Sequence, residues 1–253
     1  MFMSSTKTKS RKEHDFLGEK EIPNDVYYGV QTLRALENFN ITGIRMSHHP
    51  AFIQAFPYVK KAAALANHEC GVLPSPIKKA IVFACDEVIA GKYNDQFVTD
   101  LIQGGAGTSV NMNVNEVIAN IGLEYMGHKK GEYNFLHPNN HVNFSQSTND
   151  AYPTALRLAL YYKTEVYIKA LKRLQKAFAK KGTEFKRVLK MGRTQLQDAV
   201  PMILGDEFKG FASAIEKDIE LLEDARFLFT SSNMGGTAIG TMINAPEQYP
   251  QLV

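Results

Sequence analysis

The sequence predicts a mainly α-helical fold. A small N-terminal α-rich domain over residues 15–146 is followed, over 147–253, by long antiparallel helices of a central helical bundle. Three observations predict it. Residues 149–185 keep helical spacing for about ten turns. Residues 203–231 carry apolar residues in a 4-3-4-3 rhythm. Two earlier segments, 51–73 and 76–93, place apolar residues three and four apart.

Along the chain, residues 1–14 come first, with the basic cluster Lys7, Lys9, Arg11 and Lys12. They are expected to be a solvated, disordered tail. A basic arm could touch nucleic acid or a membrane, but this one has no basic stripe or interleaved aromatics behind it, so neither partner is expected. The tail lacks the apolar stretch of a signal peptide, and no apolar run is long enough to span a bilayer. Two cysteines, Cys70 and Cys85, are expected as free thiols in a cytoplasmic protein. No Cys/His spacing resembles a zinc site, and "HHP" at 48–50 reads as a loop. With 44% hydrophobic and 22% charged residues and a net charge of +3, the composition is that of an ordinary globular chain.

The helices "AFIQAFPYVKKAAALANHECGVL" and "PIKKAIVFACDEVIAGKY" are separated by Pro74 and Pro76. In 149–185, Ala155, Ala159, Tyr162, Val166, Ala170 and Ala177 form one stripe, and Tyr167, Leu171, Leu174 and Phe178 a neighbouring one. Gly182 is the expected C-cap. In 203–231, Phe208, Ala212, Ile215, Ile219, Leu222 and Phe229 form a heptad seam interrupted by Arg226. Two such helices joined by one polar excursion predict an antiparallel pair, and stripes this long predict oligomerisation.

Three polar segments interrupt this background. "QGGAGTSVNMNVNEVIAN" (103–120) holds a glycine-rich turn, with Thr108 or Ser109 placed to cap the following helix. Such an N-terminus suits an anion, although the phosphate-loop pattern is absent. A turn with a cap does not explain Asn111, Asn113 and Asn115 in an otherwise apolar helix. Asn is a poor helix former, and a buried amide needs partners. "HPNNHVNFSQSTNDAYPTA" (137–155) puts Ser147, Thr148 and Asn149 at the entrance of the long helix, with Asp150 in its first turn. It reads as an N-cap, as an anion cradle, or as both. "GRTQLQDAVP" (192–201) reads alone as an inter-helix loop, in which Arg193 and Asp198 could lock the ends and leave Thr194 and Gln195 free for a ligand.

The segments "GGAGTSVNMNVNEV", "SQSTNDAYPTA", "KMGRTQLQDAVP" and "GGTAIGT" stand in the order and spacing of the aspartase/fumarase superfamily of lyases, which the chain resembles from about residue 15 to its end. "YYGVQTLRALENF" resembles the aspartate ammonia-lyase branch. Gln195 stands where fumarases carry His, and Ala106 where class II fumarases tend to carry Ser. The resemblance implies a nearly all-α subunit of three domains, a homotetramer built on a central bundle, and active sites combining segments of three subunits. It implies reversible elimination of ammonia from L-aspartate to give fumarate through an aci-carboxylate. Thr108, Ser147 and Thr148 would hold the β-carboxylate. Asn149, Thr194 and Gln195 would lie near the amino group and the α-carboxylate. It implies no cofactor, with activation by divalent cations in some members.

His137, Asn139 and Asn140 match a secondary anion site of the fumarase branch. Asn140 replaces an Asp there, and a structural role is the favoured reading. The family's general base is a Ser in a Gly-Ser-Ser loop followed by Met-Pro-Gly-Lys-x-Asn, and this sequence contains no match to it. The chain is therefore expected to be the N-terminal part of such a lyase, with a truncated bundle and little activity alone. The alternatives are a fumarase acting on malate and a non-catalytic helical assembly module.

Overall fold

A computed structural model describes residues 9–105 and 107–253; residues 1–8 and Ala106 lie outside it. The chain is mainly α-helical, as predicted. By contact it divides into two compact units. One holds the residues up to Ala159 together with Ser232–Val253, and the other is Leu160–Ser231.

The first unit opens with an antiparallel hairpin, β1 (Ser10–Asp15) and β2 (Gly18–Pro23), with Ser10 opposite Pro23 and Asp15 opposite Gly18. This corrects the expectation of a disordered tail through residue 14. The reason is Arg11, whose guanidinium donates to the carbonyls of Pro23, Val26 and Tyr28 and pairs with Glu13 at 2.8 Å. A charge that satisfied is a structural centre, not a solvated end.

Helix α1 (Val30–Asn38) follows, then α2 (Pro50–Glu69), α3 (Ser75–Ile89) and α4 (Thr108–Tyr125). Helix α1 has no cap from its own segment. Its exposed N–H groups are taken instead by Glu116 of α4, which accepts from the amides of Gly29 (2.8 Å), Gln31 (2.8 Å) and Thr32 (3.1 Å) and from the Thr32 hydroxyl (2.6 Å). Glu13 accepts from the Val30 amide in the same cluster. Helix α4 is buried almost all round, which makes it the axis of the unit. Ile53 and Phe56 of α2, Ile81 and Val88 of α3, and Ala151 and Ala155 of the next helix join its core.

Helix α5 runs from Thr148 to Glu184 and belongs to both units. In the second unit a hairpin, β3 (Leu189–Thr194) and β4 (Gln197–Ile203), leads into α6 (Leu204–Leu228). The predicted seam forms in part: Ile168 and Leu171 of α5 pack with Ile215, Ile219 and Leu222 of α6. Glu165 pairs with Arg226, and Lys172 with Glu223, so the two helices run antiparallel. Tyr162, Val166, Tyr167 and Leu174 stay exposed. A short helix, α7 (Tyr249–Leu252), belongs to the first unit.

Gly182 does not cap α5; the helix continues through it to Glu184. A side chain there would meet the Gly205 carbonyl and Lys209, so the glycine permits close approach of the chain entering α6. "GRTQLQDAVP" is the turn of the β3–β4 hairpin rather than an open loop. Arg193 faces Asp198 across the two strands. Gln195 (φ 48°) and Leu196 (φ 66°) both take the left-handed conformation of a two-residue hairpin turn, a position that favours Asn-Gly. We therefore expect Gln195→Asn with Leu196→Gly to stabilise the second unit by about 1 kcal/mol. Slower amide exchange across 189–203 would show it, and unchanged exchange would refute it.

Among the described residues no helix is long and apolar enough to cross a membrane. Both cysteines are free thiols, Cys85 buried and Cys70 half-buried.

Candidate functional site

The N-termini of α4 and α5 converge in the first unit. Gly107, not Thr108, is the N-cap of α4, with φ 92°, and a side chain there would run into the Tyr152 ring one turn inside α5. Thr108 is thereby the first helical residue, exposed, with the free amides of the α4 terminus around it. Asn111, one turn on, donates from Nδ2 to the Thr148 hydroxyl at 3.1 Å. Two helix N-termini, each with a partial positive charge, meet through this contact.

Residues 147–150 form a capping box. The Ser147 amide donates to Asp150 Oδ1 (2.9 Å), and Ser147 Oγ accepts from the Asn149 amide (3.2 Å). Asp150 is fully buried, and its Oδ2 accepts from the Thr237 amide at 2.9 Å. Burial raises its pKa, against the pull of these N–H groups and of Lys60. Asn149 donates to the Ala238 carbonyl (2.8 Å), and its own carbonyl accepts from Asn233 (3.0 Å). The "GGTAIGT" segment is thus fastened along the start of α5.

The three puzzling asparagines of α4 have partners. Asn113 accepts from the Val98 amide and donates to the Gln96 carbonyl. Asn115 donates to Asn143 Oδ1 (3.2 Å). Asn111 Oδ1 accepts from Lys60 at 2.8 Å. The Lys60 ammonium, buried with no exposed surface, also donates to Asn143 Oδ1 (2.9 Å) and Gln146 Oε1 (2.9 Å). Burial pulls its pKa down to about 7, while the charge of Asp150 pulls the other way.

Sequence reasoning missed Lys60. A signal was there: Phe56, Lys60, Ala63 and Asn67 follow the 4-3-4 spacing of the buried face of α2, so the lysine occupies a core position. Asn143 and Gln146 lie inside the polar segment 137–155.

His137, Asn139 and Asn140 come together differently. The Asn139 and Asn140 amides both donate to His137 Nδ1 (3.0 and 3.3 Å), and the His137 amide donates to His141 Nδ1 (2.8 Å). Burial lowers both imidazole pKa values, with His141 and His14 adding to the effect at His137. The loop's own amides are spent on a neutral ring, which supports a structural role. A cavity of about 270 Å³ lies beside it, lined among others by His137, Asn140, Tyr133 and, from another face of α4, Met112 and Glu116. Thr194 and Gln195 sit in the second unit at the exposed end of the β3–β4 hairpin. Ala106 lies outside the described residues. Among those residues, no group of three or more His, Cys, Asp or Glu is placed to hold a metal.

The family described as Lyase matches residues 18–253. The chain belongs to this lyase family, the aspartase/fumarase superfamily. The chain is 58% identical over 243 residues to an aspartate ammonia-lyase of Helicobacter pylori, covering 96% of this chain and 52% of that protein. It is 53% identical over 243 residues to an aspartate ammonia-lyase of Escherichia coli, covering 96% and 51%. Among solved structures it is similar to a fumarate lyase:delta crystallin of Brucella melitensis bound to cobalt (TM-score 0.92, 54% identity, 96% of this chain and 53% of that one). It is also similar to a class II fumarase of Schistosoma mansoni (TM-score 0.86, 35% identity, 96% and 51%). The chain spans about half the length of the curated relatives it matches.

Proposed function

We propose that this lyase contributes part of a dicarboxylate site that eliminates ammonia from L-aspartate to give fumarate. The observation that carries the reading is the convergence of the α4 and α5 N-termini, joined through Asn111 and Thr148. Removing the proton beside the β-carboxylate puts a second negative charge on that group. Preorganised donors are what such an intermediate needs. Thr108, Ser147 and Thr148 are the proposed donors to it.

Asn149 turns its side-chain NH2 group to the Ala238 carbonyl, so its side-chain oxygen Oδ1 is the acceptor suited to an ammonium. Thr194 and Gln195 are proposed to recognise the amine and α-carboxylate, supplied by another copy of the chain. The left-handed backbone of Gln195 supports this, since strain of that kind persists where function demands it. The exposed apolar residues of α5 and α6, Val166, Tyr167, Leu221 and Phe227 among them, support a homo-oligomer. The reading needs no organic cofactor, places the protein in the cytoplasm, keeps the 15–146 and 147–253 domain division, and leaves room for a divalent-cation activator.

The identities of 53–58% to aspartate ammonia-lyases, against 35% to a class II fumarase, favour the amine substrate. No match to the Gly-Ser-Ser loop lies within these 253 residues, so they are expected to turn over aspartate slowly or not at all by themselves. Adding a polypeptide that carries that loop from a relative is expected to restore fumarate release from aspartate. Release of fumarate from malate alone would overturn the ammonia-lyase reading in favour of the hydratase.

A further inference from the structure

The Lys60 cluster has a fixed polarity. An ammonium only donates, and it has three protons. Its three neighbours are therefore compelled to present oxygens: Asn111 Oδ1, Asn143 Oδ1 and Gln146 Oε1, all within 2.9 Å. An amide whose oxygen is so held has only its NH2 group left to turn elsewhere. That of Asn111 donates to Asn143 Oδ1 and Thr148 Oγ1, both at 3.1 Å. The Thr148 oxygen is then an acceptor towards the protein, and its hydroxyl hydrogen is directed to whatever lies outside.

We propose that Lys60 is a positioning residue: through Asn111 it commits the Thr148 hydroxyl to donate to a ligand carboxylate. This deepens the dicarboxylate reading and rests on it. Without the ammonium, Asn111 could reverse, Thr148 would donate inward to the amide oxygen, and its outward face would be a lone pair that repels a carboxylate.

The test uses succinate, an unreactive dicarboxylate, titrated into the assembled protein. Thr148→Val removes the donor and Asn111→Asp reverses it, since a carboxylate at 111 still accepts from Lys60 but can only accept from Thr148. Each is expected to weaken succinate binding about tenfold or more. The double variant is expected to be no weaker than either single one, and Thr148→Ser to bind like the parent. Lys60→Met is expected to lose binding as Asn111→Asp does.

An Asn111→Asp protein that melts normally and binds succinate like the parent, while Thr148→Val does not, overturns the proposal and spares the site. No weakening in Thr148→Val, or no succinate binding by the parent, overturns the site reading instead. The polarity itself is read without any variant, from protein carrying nitrogen-15 lysine at pH 6. A Lys60 resonance of ammonium type is expected. A neutral-amine resonance there would overturn the proposal, because a lone pair on Nζ would let one of the amides reverse.

Discussion

Glu116→Ala is expected to destabilise the first compact unit by about 3–5 kcal/mol, seen as a lowered denaturation midpoint and early loss of amide protection in α1. Four donors converge on this one carboxylate: the amides of Gly29, Gln31 and Thr32 and the Thr32 hydroxyl. The site is buried, with Glu116 1% exposed. A buried donor left without an acceptor costs about 1–3 kcal/mol, and water entering the space relieves only part of the total. Glu116→Gln keeps the shape but turns an NH2 group towards at least one of those N–H groups, so a loss of about 1–3 kcal/mol is expected. A stability of Glu116→Ala within about 1 kcal/mol of the parent would refute the capping role.

The same residue sets a pH dependence. Burial raises the Glu116 pKa from 4.5 to about 7, with the nearby Glu13 charge adding to it and the donors opposing. The folded state then holds this proton more tightly than the unfolded state does. The stability linked to it is complete below about pH 4.5 and is lost as pH rises through about 7. Denaturation midpoints on either side of that window are expected to fall with rising pH in the parent, and to fall less in Glu116→Gln.

Much of the fold was readable because helical periodicity is a local signal. The α2, α3, α5 and α6 segments were found within a few residues of their ends. What was not readable depended on contacts distant in sequence. Ser10–Asp15 becomes a strand because Arg11 finds three carbonyls and Glu13. Gly182 lies within the helix because the entry to α6 passes close to it. The β3–β4 turn carries neither Asn nor Gly at its two central residues, so nothing local announced a hairpin.

The candidate site divides in the same way. The spacing of 147–150 announced an N-cap, and the structure supplies the capping box. The asparagines of α4 announced unexplained polarity, but not which groups they served. Asn111 serves a lysine more than fifty residues earlier in the chain, Asn113 the backbone of Gln96 and Val98, and Asn115 the side chain of Asn143. A basic residue on an apolar helix face is ambiguous by itself, because a long side chain can reach solvent from a nearly buried backbone. Only the closure of Asn111, Asn143 and Gln146 around Lys60 makes it a core residue.

Asp150→Ala is the second large expected effect, a loss of about 2–4 kcal/mol in the first unit. One oxygen completes the capping box at Ser147 and the other holds the Thr237 amide, so two elements are released together. A lost cap costs about 1 kcal/mol, and a buried amide without an acceptor about 1–3 kcal/mol. Ser147→Ala loses only the cap on the Asn149 amide and is expected to cost about 1 kcal/mol. Limited proteolysis separates the two, since only Asp150→Ala frees the Thr237 backbone and exposes the 232–240 segment. Equal cleavage in both variants would show that Asp150 does not fasten it. Asp150→Asn provides a further comparison. It keeps the shape, and one oxygen still accepts, yet it removes the negative charge that supports the Lys60 ammonium. Burial then acts on Lys60 with less opposition and its pKa falls further. In Asp150→Asn the Lys60 nitrogen is therefore expected to become a neutral amine at lower pH than in the parent, and Thr148 to lose its outward donor with it.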